Sequence, residues 1–93
     1  MRLDKFIQLS RIIKRRTVAK KVCDSSHVLV NNQPAKAGKE LKAGDVLEIN
    51  LGARGVLTCE VLEIPKGGVR KEQATSLYRI ISQTHPDEYE EGW

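Results

Sequence analysis

The chain has 93 residues, of which 30% are charged and 4% are aromatic, and its formal net charge at pH 7 is +4. This length fits one domain with a modest core, made mostly of Leu, Ile and Val. The longest apolar run is three residues, Val28–Val30. We therefore expect no transmembrane span, which needs about 20 apolar residues, no signal peptide, no membrane partner and a cytoplasmic location.

The basic charge is concentrated at the start of the chain. Residues 1–21 contain eight Lys or Arg and one acid, Asp4, which makes this segment +7 and leaves −3 for the remaining 72 residues. Apolar residues recur among the cations at helical spacings, which predicts a folded cationic surface for a polyanion. The eight cations are Arg2, Lys5, Arg11, Lys14, Arg15, Arg16, Lys20 and Lys21.

Two helices are predicted in this basic segment. Residues 2–12 follow the spacing i, i+3, i+4, i+7 that gives a helix one buried face. A second helix is predicted from Thr17, as its N-cap, to about Ser25. The residues of the first buried face are Leu3, Phe6, Ile7 and Ser10.

After Ser26 the apolar pattern changes to the period of two that is typical of strands. Asn31 and Asn32 predict a two-residue turn with positive φ angles. Further turns are predicted at 41–45 and 52–55. The predicted strands are Val28–Val30, 33–35, 46–51 and 56–64.

A third helix is predicted over residues 69–83, after Pro65 and a flexible link at 66–68. Residues 85–93 predict an acidic, unstructured end in which Tyr89 and Trp93 either fold back onto an apolar surface or bind a partner. The helical spacing of the third helix is carried by Ala74, Leu77, Tyr78 and Ile81.

The predicted fold class is α+β, with two basic helices, a small bent antiparallel sheet and a closing helix. We divide the chain into a domain at 1–64, a helix packed on the sheet at 65–84 and the acidic end at 85–93.

Neither a catalytic set nor a metal or cofactor site is predicted. Cys23 and Cys59 are interpreted as buried thiols in a reducing compartment, with a disulfide as the lesser alternative. Cys23 and His27 are four residues apart, but a second ligand pair is missing. We therefore expect a protein that is not an enzyme and that binds neither metal nor cofactor.

The cations favour structured RNA over duplex DNA. Arg matches phosphate oxygens with two parallel donors, which suits a fixed phosphate geometry. A DNA-binding helix-turn-helix remains an alternative, but the second helix lacks the Gln, Asn and Ser side chains that read base edges. A surface of this composition is typical of binding through backbone and shape.

The residues that follow one another in the first half of the chain form a known pattern. They are Arg2-Leu3-Asp4-Lys5-Phe6-Ile7, Arg11-Ile12, Lys14-Arg15-Arg16-Thr17-x-Ala19, Val28-x-Val30-Asn31 and Leu41-x-x-Gly44-Asp45. This set resembles the S-four-type RNA-binding domain and covers residues 1–51. The whole chain resembles most the RqcP (YabO) group of that family, and next heat-shock protein fifteen, whose long basic C-terminal extension is missing here.

The resemblance implies a function in ribosome-associated quality control. It implies binding to rRNA, with tRNA as a second candidate ligand, on large ribosomal subunits obstructed by peptidyl-tRNA. It also implies support of C-terminal alanine tailing by an RqcH-type tailing factor. One alternative is subunit recycling in the manner of heat-shock protein fifteen. Another is the RNA-targeting part of an RNA-modifying enzyme, although 93 residues leave no room for such a catalytic domain. We expect a monomer.

The resemblance also assigns residues. Arg2 and Arg16 occupy the family's RNA-contacting positions, and the other six cations are expected to supplement them. Asp4 is expected to hold a helix end or a neighbouring Arg. The family usually has Gly in place of Ser26 or His27, and in place of Asn32. The expected core residues are Leu3, Phe6, Ala19, Val28 and Val30.

Overall fold

A computed structural model describes residues 1–84 as two α-helices against a five-stranded antiparallel sheet with the strand order β2-β1-β3-β4-β5. The predicted α+β class, with two N-terminal helices on a small antiparallel sheet, is confirmed. The predictions for 85–93 lie outside the described residues. The elements are α1 Leu3–Leu9, α2 Arg16–Asp24, β1 Val28–Val30, β2 Gln33–Pro34, β3 Val46–Asn50, β4 Val56–Val61 and β5 Tyr78–Thr84, with 3-10 helices at Gly52–Arg54 and Lys71–Leu77.

The core lies between the two α-helices and one face of the sheet. All five core residues expected from the sequence are buried, and Phe6 is the largest of the fully buried side chains. The inward faces of β3 and β4 add Leu47, Ile49 and Cys59. Full burial of one such apolar side chain stabilises the fold by about 1.5–3 kcal/mol, so the helices are held mainly by these contacts.

The two cysteines are buried and unpaired, as predicted. Burial, and then the carboxylates of Asp4 and Asp24, raises the pKa of the Cys23 thiol to about 12. Burial alone raises the pKa of the Cys59 thiol to about 11. Both therefore stay protonated at neutral pH, and a protonated thiol is a poor nucleophile and metal ligand.

Both predicted helix boundaries in the basic segment need correction. α1 ends at Leu9 and not at residue 12, because Arg11 has a left-handed φ of 63° and turns Ile12 and Ile13 inward to buried positions. α2 begins at Arg16 with the extended Arg15 as its N-cap, and no side chain caps it. The prediction of Thr17 as N-cap is therefore wrong.

The prediction of a two-residue hairpin turn at Asn31 and Asn32 is confirmed. Asn31 and Asn32 have φ angles of 52° and 68° between β1 and β2, as a two-residue hairpin turn with positive φ requires. The side-chain Nδ2 of Asn31 donates to Asp45 Oδ1 over 3.1 Å, and the Lys42 backbone N–H donates to Asp45 Oδ2 over 2.9 Å. Asp45 thus ties the turn before β3 to the β1–β2 hairpin.

The predicted third helix is wrong in its second half. Residues Lys71–Leu77 form a 3-10 helix that buries Ala74 and Leu77, but Tyr78–Thr84 form β5, which pairs with β4. β4 also ends at Val61, earlier than predicted, because the N–H groups of the next two residues donate to the Leu77 carbonyl. The interpretation of 65–84 as a helix packed on the sheet is corrected accordingly.

The end of α2 shows which residue replaces the expected glycine. Ser26 has a φ of 64°, its N–H donates to the Cys23 carbonyl, and the His27 N–H donates to the Val22 carbonyl. This is the hydrogen-bond pattern of a Schellman motif, in which the left-handed position favours Gly. Of Ser26 and His27, Ser26 is therefore the residue at the position that favours Gly.

Ser26→Gly is expected to raise the free energy of unfolding by roughly 1 kcal/mol, because a side chain at left-handed φ costs about 1–2 kcal/mol and glycine returns part of this as backbone entropy. A shift of that size raises the melting temperature by about 4–8 °C in a domain of this length. Ser25→Gly, at the neighbouring position with a negative φ of −88°, is the matched control and should not stabilise. Equal melting temperatures for Ser26→Gly and the parent would contradict the assignment.

Candidate nucleic-acid interface

Asp4 lies between two arginines from different helices. Its Oδ1 accepts from Arg2 Nε over 3.2 Å, and its Oδ2 accepts from Arg16 Nε over 3.4 Å. The Asp4 side chain is 2% exposed, whereas both arginine side chains are 48% exposed. We call these three residues the Asp4 cluster.

Within residues 1–84, the geometry of the Asp4 cluster leaves the outer nitrogens of both arginines available. Each guanidinium uses Nε toward Asp4, and its two terminal NH2 groups are the fork that matches a phosphate in two parallel hydrogen bonds. The buried carboxylate therefore restrains two half-exposed guanidinium groups on one surface. Of the two roles expected for Asp4, a helix end or a neighbouring Arg, the structure shows the second, and with two arginines instead of one.

The backbone of the loop before β3 fixes the position of Arg2. The Leu3 N–H donates to the Lys39 carbonyl over 2.8 Å, and the Leu41 N–H donates to the Met1 carbonyl over 3.0 Å. Arg2 itself forms an isolated antiparallel bridge with Glu40. The start of α1 is thus anchored on both sides of Arg2.

Arg16 owes its position to the packing of α2. It is the first residue of that helix, and Ala19 and Cys23 bury the inward face. At the far end of α2 the Ala37 N–H donates to Asp24 Oδ1 over 3.1 Å, which ties the helix to the loop that also contacts α1. Asp4 on α1 and Arg16 on α2, which are twelve positions apart in sequence, are therefore in contact.

Six of the eight predicted RNA-binding residues line one of two depressions. Lys20 lines the same shallow depression as the Asp4 cluster. Arg11, Lys14 and Arg15 line a second depression, together with Arg54. We call it the Arg54 depression; its lining residues are Arg11, Ile12, Ile13, Lys14, Arg15, Val18 and Arg54.

The remaining predicted cations, Lys5 and Lys21, are exposed on α1 and α2 but line neither depression. Arg54 is not among the residues predicted from the sequence. It lies in the 3-10 helix between β3 and β4, and a lone Arg in a glycine-rich turn carries no periodic signal. Only the fold brings it beside the cations that precede α2.

Arg11 occupies an unusual backbone conformation for its residue type. A φ of 63° is uncommon outside glycine and asparagine, yet here it carries a long cationic side chain at the rim of the Arg54 depression. The turn that buries Ile12 and Ile13 thus also places a cation outward.

Two features that would suggest other kinds of site are not found in the described part of the chain. Within residues 1–84 no group of three or more His, Cys, Asp or Glu side chains could hold a metal ion. Among those same residues, no helix has the length and apolar character needed to cross a membrane. What the cationic surface can do is bind an anion with fixed geometry.

Comparison with known proteins agrees with this geometry. A family model described as S4 domain matches residues 1–47. A protein of Streptococcus pneumoniae named RQC P-site tRNA stabilizing factor is 48% identical over 88 residues, which cover 95% of this chain and 98% of that protein. A protein of the same name from Bacillus subtilis is 42% identical, over 89% of this chain and 94% of its own length.

A solved structure shares the fold. Heat shock protein 15 of Vibrio cholerae, described as trimeric, superposes with a TM-score of 0.79 at 27% sequence identity, and the match covers 88% of this chain and 82% of that one. A heat shock protein 15 homologue of Haemophilus influenzae is 38% identical, but over only 56% of this chain and 40% of its own length.

Proposed function

The chain belongs to the S4 domain family and, within it, to the group of RQC P-site tRNA stabilizing factors, and on that premise we propose that it is a non-enzymatic RNA-binding factor of ribosome-associated quality control. It binds rRNA and P-site tRNA on large ribosomal subunits that are obstructed by peptidyl-tRNA, in the cytoplasm. By doing so it supports the addition of C-terminal alanine tails to the stalled chain by an RqcH-type tailing factor, and it acts as a monomer.

The observation that carries the RNA-binding part of this proposal is the Asp4 cluster. A buried carboxylate between two half-exposed arginines gives a rigid pair of phosphate ligands, whereas freely moving cations would lose side-chain entropy on binding. Such a pair recognises the spacing of phosphates in a folded RNA rather than a base sequence.

The other cations that are predicted to bind RNA supplement the Asp4 cluster. Lys20 lies in the same depression, and those of the Arg54 depression extend the positive surface toward the sheet. If about five phosphates are neutralised, the logarithm of the binding constant should fall with the logarithm of salt concentration at a slope of roughly −3.5 to −4.5.

Asp4→Asn distinguishes two explanations of RNA binding, one by arginines held in place and one by general electrostatic attraction. The two explanations predict changes of opposite sign in the affinity for large subunits. The substitution raises the net charge by one, so general attraction would strengthen binding to large subunits. If Asp4 restrains both guanidinium groups, affinity falls instead, by roughly 5- to 150-fold, since immobilising each of the two freed side chains costs about 0.5–1.5 kcal/mol. Co-sedimentation with large subunits at several salt concentrations measures this change in affinity.

Glu60→Gln is the charge-matched control. Glu60 lies on β4 and pairs with Arg79 on β5, so its substitution adds the same charge without touching the Asp4 cluster. It should leave subunit binding unchanged or slightly stronger. Tighter binding by Asp4→Asn than by Glu60→Gln would refute the role of the Asp4 cluster.

The cellular role is tested by the tails themselves. Cells without this protein should lose most alanine tails on a reporter that stalls the ribosome, and an Asp4→Asn copy should restore them only in part. Undiminished tails together with accumulation of split, obstructed subunits would favour the recycling function of heat-shock protein fifteen.

A further inference from the structure

A tight turn in the loop between β2 and β3 lies beside the Asp4 cluster. The turn covers residues 36–39 and is closed by the Lys39 N–H, which donates to the Lys36 carbonyl over 3.0 Å. Of its two central residues, Ala37 is buried and Gly38 is exposed. Gly38 is therefore the point at which this turn meets the surface.

The turn is tied to both α-helices. The Ala37 N–H donates to Asp24 Oδ1 at the end of α2 over 3.1 Å, and the Ala37 carbonyl accepts from the Asp4 N–H of α1 over 3.2 Å. The Lys39 carbonyl accepts from the Leu3 N–H over 2.8 Å. These hydrogen bonds fix the position of Gly38 relative to the Asp4 cluster.

The described residues give no reason for a glycine at position 38. Its φ is not positive, in contrast to those of Gly44, Gly52 and Gly55. A Cβ at this position would have one described atom within 4 Å, Nη2 of Arg2, at 4.0 Å, which is an ordinary van der Waals distance. Alanine would therefore fit, and it would stabilise the fold by restricting the unfolded chain.

The space left open at Gly38 adjoins the phosphate-binding side of Arg2. Arg2 uses Nε toward Asp4, and Nη2 is one half of the fork that remains. A phosphate oxygen that accepts from Nη2 lies about 2.7–2.9 Å from it, so a phosphate and a side chain at position 38 compete for the space around this nitrogen. Gly38 does not line the depression that holds Lys20, so this space lies outside that depression, next to Arg2.

We propose that the RNA backbone held at the Asp4 cluster continues past Arg2 over the turn 36–39, and that Gly38 admits a phosphate to Arg2 Nη2 because it has no side chain. The exposed Lys39, next in the turn, adds positive charge along this path. The inference rests on the proposed function, since it requires RNA at Arg2, and it deepens that function by giving the RNA a direction across the surface.

Gly38→Leu is expected to weaken binding to large subunits by roughly 10- to 100-fold, the value of one hydrogen bond to a charged group. Gly38→Ala should weaken binding less, although it should raise the melting temperature by about 2–8 °C. Neither substitution changes the net charge, so general attraction predicts no loss. With one phosphate contact fewer, the salt dependence should become shallower by roughly 0.7–0.9 in its log–log slope. Co-sedimentation at several salt concentrations measures both quantities.

Gly67 supplies the matched control. It is exposed, its φ is not positive, and a Cβ added to it would have no described atom within 4 Å. It lines neither of the two cationic depressions, so Gly67→Leu and Gly67→Ala should leave subunit binding unchanged. An equal loss of affinity in both leucine variants would overturn the proposal. If Gly38→Leu unfolds the chain, Gly38→Ala takes its place, and an affinity equal to that of the parent would overturn the proposal.

A double-mutant cycle with Arg2→Ala tests whether Gly38 acts through Arg2. If the role of Gly38 is to admit a phosphate to Arg2, then Gly38→Leu should cause no further loss in a chain that already carries Arg2→Ala. A full additional loss would show that the turn acts independently of Arg2, which contradicts the proposal. A parent chain that does not bind large subunits would contradict the proposed function itself, whereas a parent that binds no better than Gly38→Leu would overturn this inference alone.

Discussion

Phe6→Ala is expected to lower the free energy of unfolding by about 3–5 kcal/mol, the usual cost of removing a fully buried aromatic ring. Phe6 is 0% exposed and is the largest fully buried side chain of the described residues. It lies on the face of α1 that meets α2 and the sheet. A domain of this size is stable by only roughly 5–15 kcal/mol, so the substitution removes a large share of its stability.

Urea denaturation followed by circular dichroism measures this loss. The control is Lys5→Ala, at the exposed neighbouring position of the same helix, which should change stability by no more than about 0.5 kcal/mol. Subunit binding by Phe6→Ala is informative only where the variant is folded. A denaturation midpoint equal to that of the parent would show that the core does not depend on the ring.

The core could be predicted from the sequence because its signal is local. Leu3, Phe6 and Ile7 repeat at the helical period, and Val28 and Val30 repeat at the strand period, so each segment carries its own buried face. The Asn31-Asn32 turn was equally local, since asparagine is the residue that tolerates positive φ best after glycine. Where burial depends on a segment's own periodicity, the sequence is sufficient.

The third helix could not be predicted correctly because its second half depends on a distant partner. Ala74, Leu77, Tyr78 and Ile81 follow a helical spacing, yet Tyr78–Thr84 pair with β4. The segment is rich in aromatic and β-branched residues, and pairing with it satisfies backbone groups that β4 would otherwise leave open at its edge. A short apolar pattern cannot distinguish these outcomes.

The candidate site shows the same division between local and distant information. The interaction of Arg2 with Asp4 lies within three positions and could be expected from the sequence. Arg16 joins them across twelve positions, and only the resemblance indicated that it belongs there. Arg54 had no signal of either kind, because the turn that carries it reaches the cations only in the folded chain.

The second large effect is expected from the double substitution of Arg2 and Arg16 by Ala, which should weaken binding to large subunits by roughly 100-fold or more. A hydrogen bond to a charged group contributes about 1.5–3 kcal/mol, and each tenfold change in affinity corresponds to about 1.4 kcal/mol. Co-sedimentation at fixed salt measures the loss. Arg79→Ala combined with Lys66→Ala is the control, since it removes the same charge from exposed positions outside both depressions and should cost far less affinity.

The double substitution also lowers the stability of the fold, which could by itself weaken binding. A third substitution separates the two effects. Exposed arginines contribute little to stability by themselves, but here their loss leaves the carboxylate of Asp4, 2% exposed, without a guanidinium. Breaking a fully buried ion pair costs about 3–5 kcal/mol, and the cost is smaller here because both arginines are half-exposed. Adding Asp4→Asn removes the uncompensated charge, so the triple variant should regain thermal stability.

The triple variant should still fail to bind, because the phosphate ligands are absent whether or not the fold is intact. Stability restored without binding assigns Arg2 and Arg16 to RNA contact and Asp4 to holding them. If binding returned together with stability, the arginines would act only through the fold. The RNA-binding surface would then have to be sought in the cations around Arg54.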